Sequence, residues 1–183
     1  MSAIWDRYDR LATAFADKVA AVPEDAWSNP SPCEGWTARD VVRHVVDTQG
    51  LFLGFVGQEP GALPSVDEDP LAAVQAATDR TRACLADPAV AEATFEGMGG
   101  TTSYQDGVDR FLSADLIVHA WDLAKATGQD TTMLDEDVVA MRALAESFPS
   151  EAMRGPGAFG PEVEVPADAG DQDRLLGFLG RRP

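Results

Sequence analysis

Apolar residues recur at helical spacing along most of the chain. Near the N-terminus Ile4, Tyr8, Leu11, Phe15, Val19 and Val22 follow one another at steps of three and four, which predicts one apolar stripe on a helix ended by Pro23. Ser28 to Trp36 contains Pro30, Pro32 and Gly35 and reads as a loop. A second helix starts at Thr37, an N-cap with Asp40 at the third helical position in a variant capping box, and Trp36 is placed to staple onto Val41. Val41, Val42, Val45, Val46, Phe52, Phe55 and Val56 carry it to about Gly57.

Gln58 to Asp69 is broken by Pro60, Gly61 and Pro64 and serves as a connection. Asp69-Pro70 then supplies an N-cap followed by proline at the first helical position, where a missing N–H costs nothing. Leu71, Val74, Thr78, Thr81 and Leu85 form the stripe of a third helix that Pro88 closes. Residues 96 to 107 hold four glycines and are expected to be a mobile loop. A fourth helix is predicted from about Val108 to Thr127 with Gly128 as its stop, and a fifth, shorter one over Asp135 to Phe148. Gly155 to Gly170 is rich in Gly and Pro, with Val163-Glu164-Val165 as a candidate short strand, and Arg174 to Gly180 suits a last turn or two of helix. The pattern predicts an all-α four-helix bundle with a short extra helix and an irregular C-terminal segment, in a single domain over residues 1–183.

Composition narrows the function. The 183 residues include 31 acidic and 14 basic side chains, for a formal charge of -17. Such a surface disfavours nucleic acid and anionic lipid, both of which are bound through Lys and Arg. Cys33 and Cys84 make neither a disulfide framework nor a CxxC metal pair. No basic leader with an apolar stretch opens the chain, and no run approaches the roughly 18 residues of a membrane span, so a cytoplasmic protein is expected.

The chain has only two histidines, and each falls on a bundle helix. His44 shares a face with Val41, Thr48, Leu51 and Phe55. His119 follows Asp115 by four residues and precedes Asp122 by three, so both carboxylates lie on its face among Phe111, Leu112, Leu116 and Leu123. A carboxylate and an imidazole facing a core must be paired, protonated or bound to a cation. Two histidines and one carboxylate are three ligands that leave a position open, the pattern of catalytic zinc, and ferrous iron or nickel suits them too. A buried Asp–His hydrogen bond without metal is the alternative.

Three segments carry a wider likeness: Pro32-Cys33-Glu34-Gly35-Trp36-Thr37 leading into Asp40-Val41-Val42-Arg43-His44, then Asp115-Leu116-Ile117-Val118-His119-Ala120-Trp121-Asp122-Leu123-Ala124, then Asp173-Arg174-Leu175-Leu176 with Gly180-Arg181. In these the chain resembles the DinB-like superfamily, and within it the actinobacterial branch similar to the N-terminal domain of mycothiol-dependent maleylpyruvate isomerase. The resemblance implies a four-helix bundle holding a divalent metal, zinc first and nickel or iron otherwise, through His44, Asp115 and His119. Asp115 stands where the isomerase has glutamate, one methylene longer. The resemblance also implies a low-molecular-weight thiol of the mycothiol type as cosubstrate, a small electrophile as substrate, and a transferase or isomerase-like reaction with no catalytic residue assigned beyond the ligands. No counterpart of the isomerase's separate C-terminal domain is expected in these residues. A non-catalytic metal- or ligand-binding stress-response protein is the alternative on the same bundle. Bundles of this family often pair, which makes a homodimer an open expectation.

Other residues have plainer readings. Trp36 and Trp121 read as core or staple aromatics, and Cys33 as structural, with a reactive thiol near a metal as its alternative. Asp122 reads as an acceptor that orients a histidine or as an arginine partner. Arg80, Arg82 and Arg110 read as solvated surface before anion ligands, and Asp67, Glu68 and Asp69 as a solvated acidic turn.

Overall fold

Ser2 opens the first helix, accepting a hydrogen bond from the Trp5 N–H at 3.2 Å, and α1 runs Ala3–Ala20. The computed structural model describes residues 2–97, 100–148, 154 and 159–183. They divide into a unit that ends at Asp130 and a second from Thr131 to Pro183.

In the first unit α1, α2 (Ala38–Phe55), α3 (Pro70–Ala86) and the later α6 (Ser113–Thr127) make the expected all-α bundle. α1 and α2 each pack against both α3 and α6. Tyr8, Leu11, Phe15 and Val19 are the buried part of the first stripe. Its centre is polar: the Tyr8 hydroxyl donates to Gln49 Oε1, the Thr81 hydroxyl donates to the same oxygen at 3.2 Å, and the Gln49 amide donates to the Val45 carbonyl at 3.4 Å. One glutamine thereby ties α1, α2 and α3, because buried hydroxyls must find partners. Asp69 caps α3 as expected, accepting from the Ala72 N–H at 3.0 Å. Pro88 both ends α3 and starts a short α4 (Pro88–Ala91) capped by Asp87.

The glycine-rich stretch is not the loop that its composition predicts. Among its described residues, β1 (Thr94–Gly97) and β2 (Gly100–Ser103) pair antiparallel, Thr94 opposite Ser103 and Gly97 opposite Gly100, and α5 (Tyr104–Gly107) follows at once. Met98 and Gly99 lie outside the described residues. Aromatic packing holds the hairpin down: the Phe95 ring stacks on Phe55 at 4.9 Å and meets Phe52 edge-on at 6.1 Å. Gly107 permits this, since a Cβ there would stand 2.9 Å from the Phe95 ring. The predicted fourth helix also differs at its start. Val108–Leu112 is wound as a π-helical turn, and α6 follows it to Gly128, whose φ of 71° supplies the left-handed stop.

The second unit contains α7 (Asp135–Glu146) and α8 (Asp171–Phe178). Val163–Val165 forms no strand. Instead the Val163 N–H donates to the Gly177 carbonyl at 2.9 Å, fastening the segment to α8, while residues 155–158 of that stretch lie outside the described residues. Leu175, Leu176 and Leu179 are buried. Among the described residues no helix is long and apolar enough to cross a membrane.

Candidate metal centre

The loop before α2 is held by its own backbone. The Ser31 N–H donates to the Trp36 carbonyl at 2.8 Å and the Trp36 N–H to the Cys33 carbonyl at 3.0 Å, with Gly35 taking the φ of 78° that the turn needs. The Asp40 carboxylate then accepts from the Thr37 N–H at 2.9 Å while Asp40 N–H donates to the Thr37 hydroxyl at 3.3 Å, so the capping box is complete. This junction fixes Cys33 and Trp36 on one side and starts the helix that carries His44 on the other.

From α6, Asp115 and His119 stand one turn apart and face His44. The Nε2 atoms of His44 and His119 lie 3.1 and 3.3 Å from the same oxygen, Asp115 Oδ1. The donor atoms of the three residues are all within 4.8 Å of one another. Their side chains are 34%, 20% and 9% exposed for His44, Asp115 and His119, so the cluster opens on the His44 side and closes toward the core. The Thr48 hydroxyl lies 3.4 Å from His44 Nε2. Behind His119, its Nδ1 is 2.9 Å from Asp122 Oδ2, and the Cys33 thiol donates to that same oxygen at 3.3 Å. Asp122 is wholly buried.

Trp36 packs against both imidazoles, its ring centre 4.9 Å from His44 and 6.0 Å from His119. The structure thus gives this aromatic a place at the cluster, whereas Trp121 is a buried core residue as expected.

Electrostatics follow from the geometry. Burial pushes the Asp115 carboxyl up, but the charge and hydrogen bond of His119, then those of His44, hold it well below the usual range. Burial pushes His119 down, but the charge and hydrogen bond of Asp115, with the hydrogen bonds of Asp122 and Cys33, hold it well above its ordinary value. Without a cation the cluster therefore balances itself as an imidazolium between carboxylates. A cation would replace protons at the same atoms.

The donor set fits such a replacement. A metal about 2.0–2.1 Å from nitrogen and oxygen donors in a tetrahedron requires donor-to-donor edges of about 3.3 Å. Two of the three edges, 3.1 and 3.3 Å, are close to that value, and the third lies within 4.8 Å.

Asp122 takes the orienting position read from its spacing. Cys33 and Thr48 were the less visible members: the first is brought in by the Gly35 turn, which no spacing rule encodes, and the second by its i+4 relation to His44. The arginines lie in other surroundings. Arg82 bonds Asp9 at 2.7 Å and Asp79 at 3.0 Å, and Arg110 lies over the Phe111 ring. The acidic turn is partly engaged, Asp67 pairing with Arg43 at 2.7 Å and Asp69 capping α3.

Residues 8–124 match the family described as the mycothiol maleylpyruvate isomerase N-terminal domain. The chain is also similar to two uncharacterized proteins of Mycobacterium tuberculosis, from strains CDC 1551 and H37Rv. Each is 34% identical over 175 residues, covering 95% of this chain and 95% of the relative. No solved structure matches the chain.

Proposed function

Since the chain belongs to the family of the mycothiol maleylpyruvate isomerase N-terminal domain, we propose that it is a divalent-metal protein that brings a low-molecular-weight thiol to a small electrophile. His44, Asp115 and His119 would be the ligands, with zinc the first candidate for the ion. The observation that carries this reading is the convergence of two imidazole Nε2 atoms on one carboxylate oxygen at the open side of the bundle.

When bound, a divalent cation supplies acidity, letting a thiol at its open position lose its proton well below the ordinary value near 8.5. The chain's own side chains do the rest. Asp122 accepts from His119 Nδ1 and so leaves Nε2 as the ligating atom. Trp36 packs on both imidazoles and limits the rotation of their rings. The ligand charges also matter: one carboxylate and two neutral imidazoles leave a dication with one uncompensated positive charge, which favours an anionic fourth partner such as a thiolate.

The family match, over residues 8–124, is to the N-terminal domain of the isomerase, so maleylpyruvate isomerisation itself is not carried over to this chain. The same site without turnover, capturing a metal or a thiol, is the second reading. Incubation of zinc-loaded protein with mycothiol and a panel of electrophiles separates the two. Thiol-dependent product formation that disappears in His119→Ala supports the enzyme; no turnover above the His119→Ala background leaves only capture.

A further inference from the structure

We propose that Cys33, Asp122 and the Nδ1 edge of His119 form a second cation site, suited to a thiophilic dication such as Cd2+, on the opposite edge of the His119 ring from His44 and Asp115. The three donor atoms lie within 4.8 Å of one another. Cys33 Sγ is 3.3 Å and His119 Nδ1 2.9 Å from Asp122 Oδ2. For zinc, tetrahedral edges built from metal–sulfur bonds of about 2.3 Å and metal–oxygen or –nitrogen bonds of about 2.0–2.1 Å are roughly 3.5 and 3.3 Å, and the larger Cd2+ requires longer ones. Each observed edge is short by a few tenths of an ångström for zinc and by more for Cd2+, so the donors must spread on binding. Cys33 sits on the Gly35 turn and not on a helix, so displacement of that turn lengthens the Cys33–Asp122 edge, while the His119–Asp122 edge, between two side chains of α6, opens by their rotation.

Charge and softness distinguish this set from the first. On binding, the Cys33 thiol proton and the Nδ1 proton leave, and a thiolate and a carboxylate neutralise a dication completely. Asp122 is wholly buried and His119 nearly so, and a neutral ion–ligand set is the one that a buried position tolerates. A thiolate donor also prefers soft cations, which the two imidazoles and carboxylate of the first set do not.

The shared ring couples the two sets. A neutral imidazole that ligates through Nδ1 carries its proton on Nε2, where it donates to Asp115 Oδ1, 3.3 Å away. A soft cation held by Cys33 thereby withdraws His119 from the first donor set and acts as an antagonist of metal there. This coupling rests on the proposed function; the Cys33 site does not.

The test is titration of the chelator-stripped full chain with Cd2+, following the thiolate-to-cadmium charge-transfer band in the near ultraviolet. The band is expected in the wild type, in His44→Ala and in Cys84→Ser, and is expected to be lost in Cys33→Ser. In the unmodified protein, alkylation of Cys33, followed by peptide mass spectrometry, should slow about tenfold at a Cd2+ concentration about ten times the Kd, while Cys84 is unprotected. A band that persists in Cys33→Ser, a band absent in His44→Ala, or an unchanged rate of Cys33 alkylation would each overturn the proposal. The alkylation measurement decides even where a variant fails to fold. Loss of the metal-dependent activity proposed above would leave these results unaffected, so the two readings fail separately.

Discussion

Raising the pH of the metal-free protein probes how the cluster holds itself together. His119 has a side chain only 9% exposed, and although burial lowers its pKa, Asp115, Asp122 and Cys33 carry it well above 6.5. The unfolded chain releases that proton near 6.5, and the folded chain retains it to higher pH. The stability it contributes is therefore complete below pH 6.5 and is lost as pH rises toward and through the folded value. One retained proton gives a slope of at most about 1.4 kcal/mol per pH unit, so a rise from pH 7 to 8.5 removes no more than about 2 kcal/mol. For a chain of this length that ceiling corresponds to a fall in Tm of roughly 4–8 °C. The assay is denaturant unfolding followed by circular dichroism between pH 6 and 9, with chelator in excess. His119→Gln should flatten the profile. With zinc in excess the slope should reverse, because a ligating imidazole must first lose its proton. A metal-free wild type whose stability is flat or rises over this range, or a His119→Gln variant that keeps the slope, would refute the argument.

Further predictions rest on other parts of the molecule. Asp115, held below its ordinary 3.8 by the two histidines despite burial, contributes stability present above pH 3.8 and lost as pH falls through its depressed value; Asp115→Asn should flatten the acid limb of the same profile. Gln49→Leu removes the acceptor that the Tyr8 and Thr81 hydroxyls share and should cost about 1–3 kcal/mol in urea unfolding, and a loss below about 0.5 kcal/mol would contradict the role given to that knot. Gly177→Ala puts a Cβ 2.7 Å from the Val163 carbonyl oxygen, so it should cost about 1–3 kcal/mol and speed exchange of the Val163 amide.

Much of the bundle was legible because its cues are local. The Thr37–Asp40 box, the Asp69-Pro70 start and the Gly128 stop each depend on residues within one turn, and each stands where spacing put it. The hairpin at Thr94–Ser103 was not legible, because what holds it is Phe95 against Phe52 and Phe55 on α2, a contact between residues some 40 positions apart. The π-helical turn at Val108–Leu112 escaped for the same reason: its residues have ordinary helical spacing, and only the neighbouring packing can select the wider turn.

The site divides along the same line. Asp115, His119 and Asp122 could be grouped from i+3 and i+4 spacing alone. His44, on another helix, could not be joined to them by spacing; ligand chemistry and the family resemblance pointed to it, and the structure brings its Nε2 to 3.1 Å from Asp115. Cys33 and Trp36 come to the cluster through the fold of the Gly35 loop, which neither periodicity nor composition describes.

The central claim is that His44, Asp115 and His119 hold one divalent cation. Elemental analysis of untagged protein, purified without chelator and compared with His44→Ala and Asp115→Asn, tests it most directly. The account predicts close to one zinc, nickel or iron ion per wild-type chain and a large loss in both variants, with the helical content of each unchanged. Substoichiometric metal in all three proteins, or equal metal in wild type and variants, would contradict it.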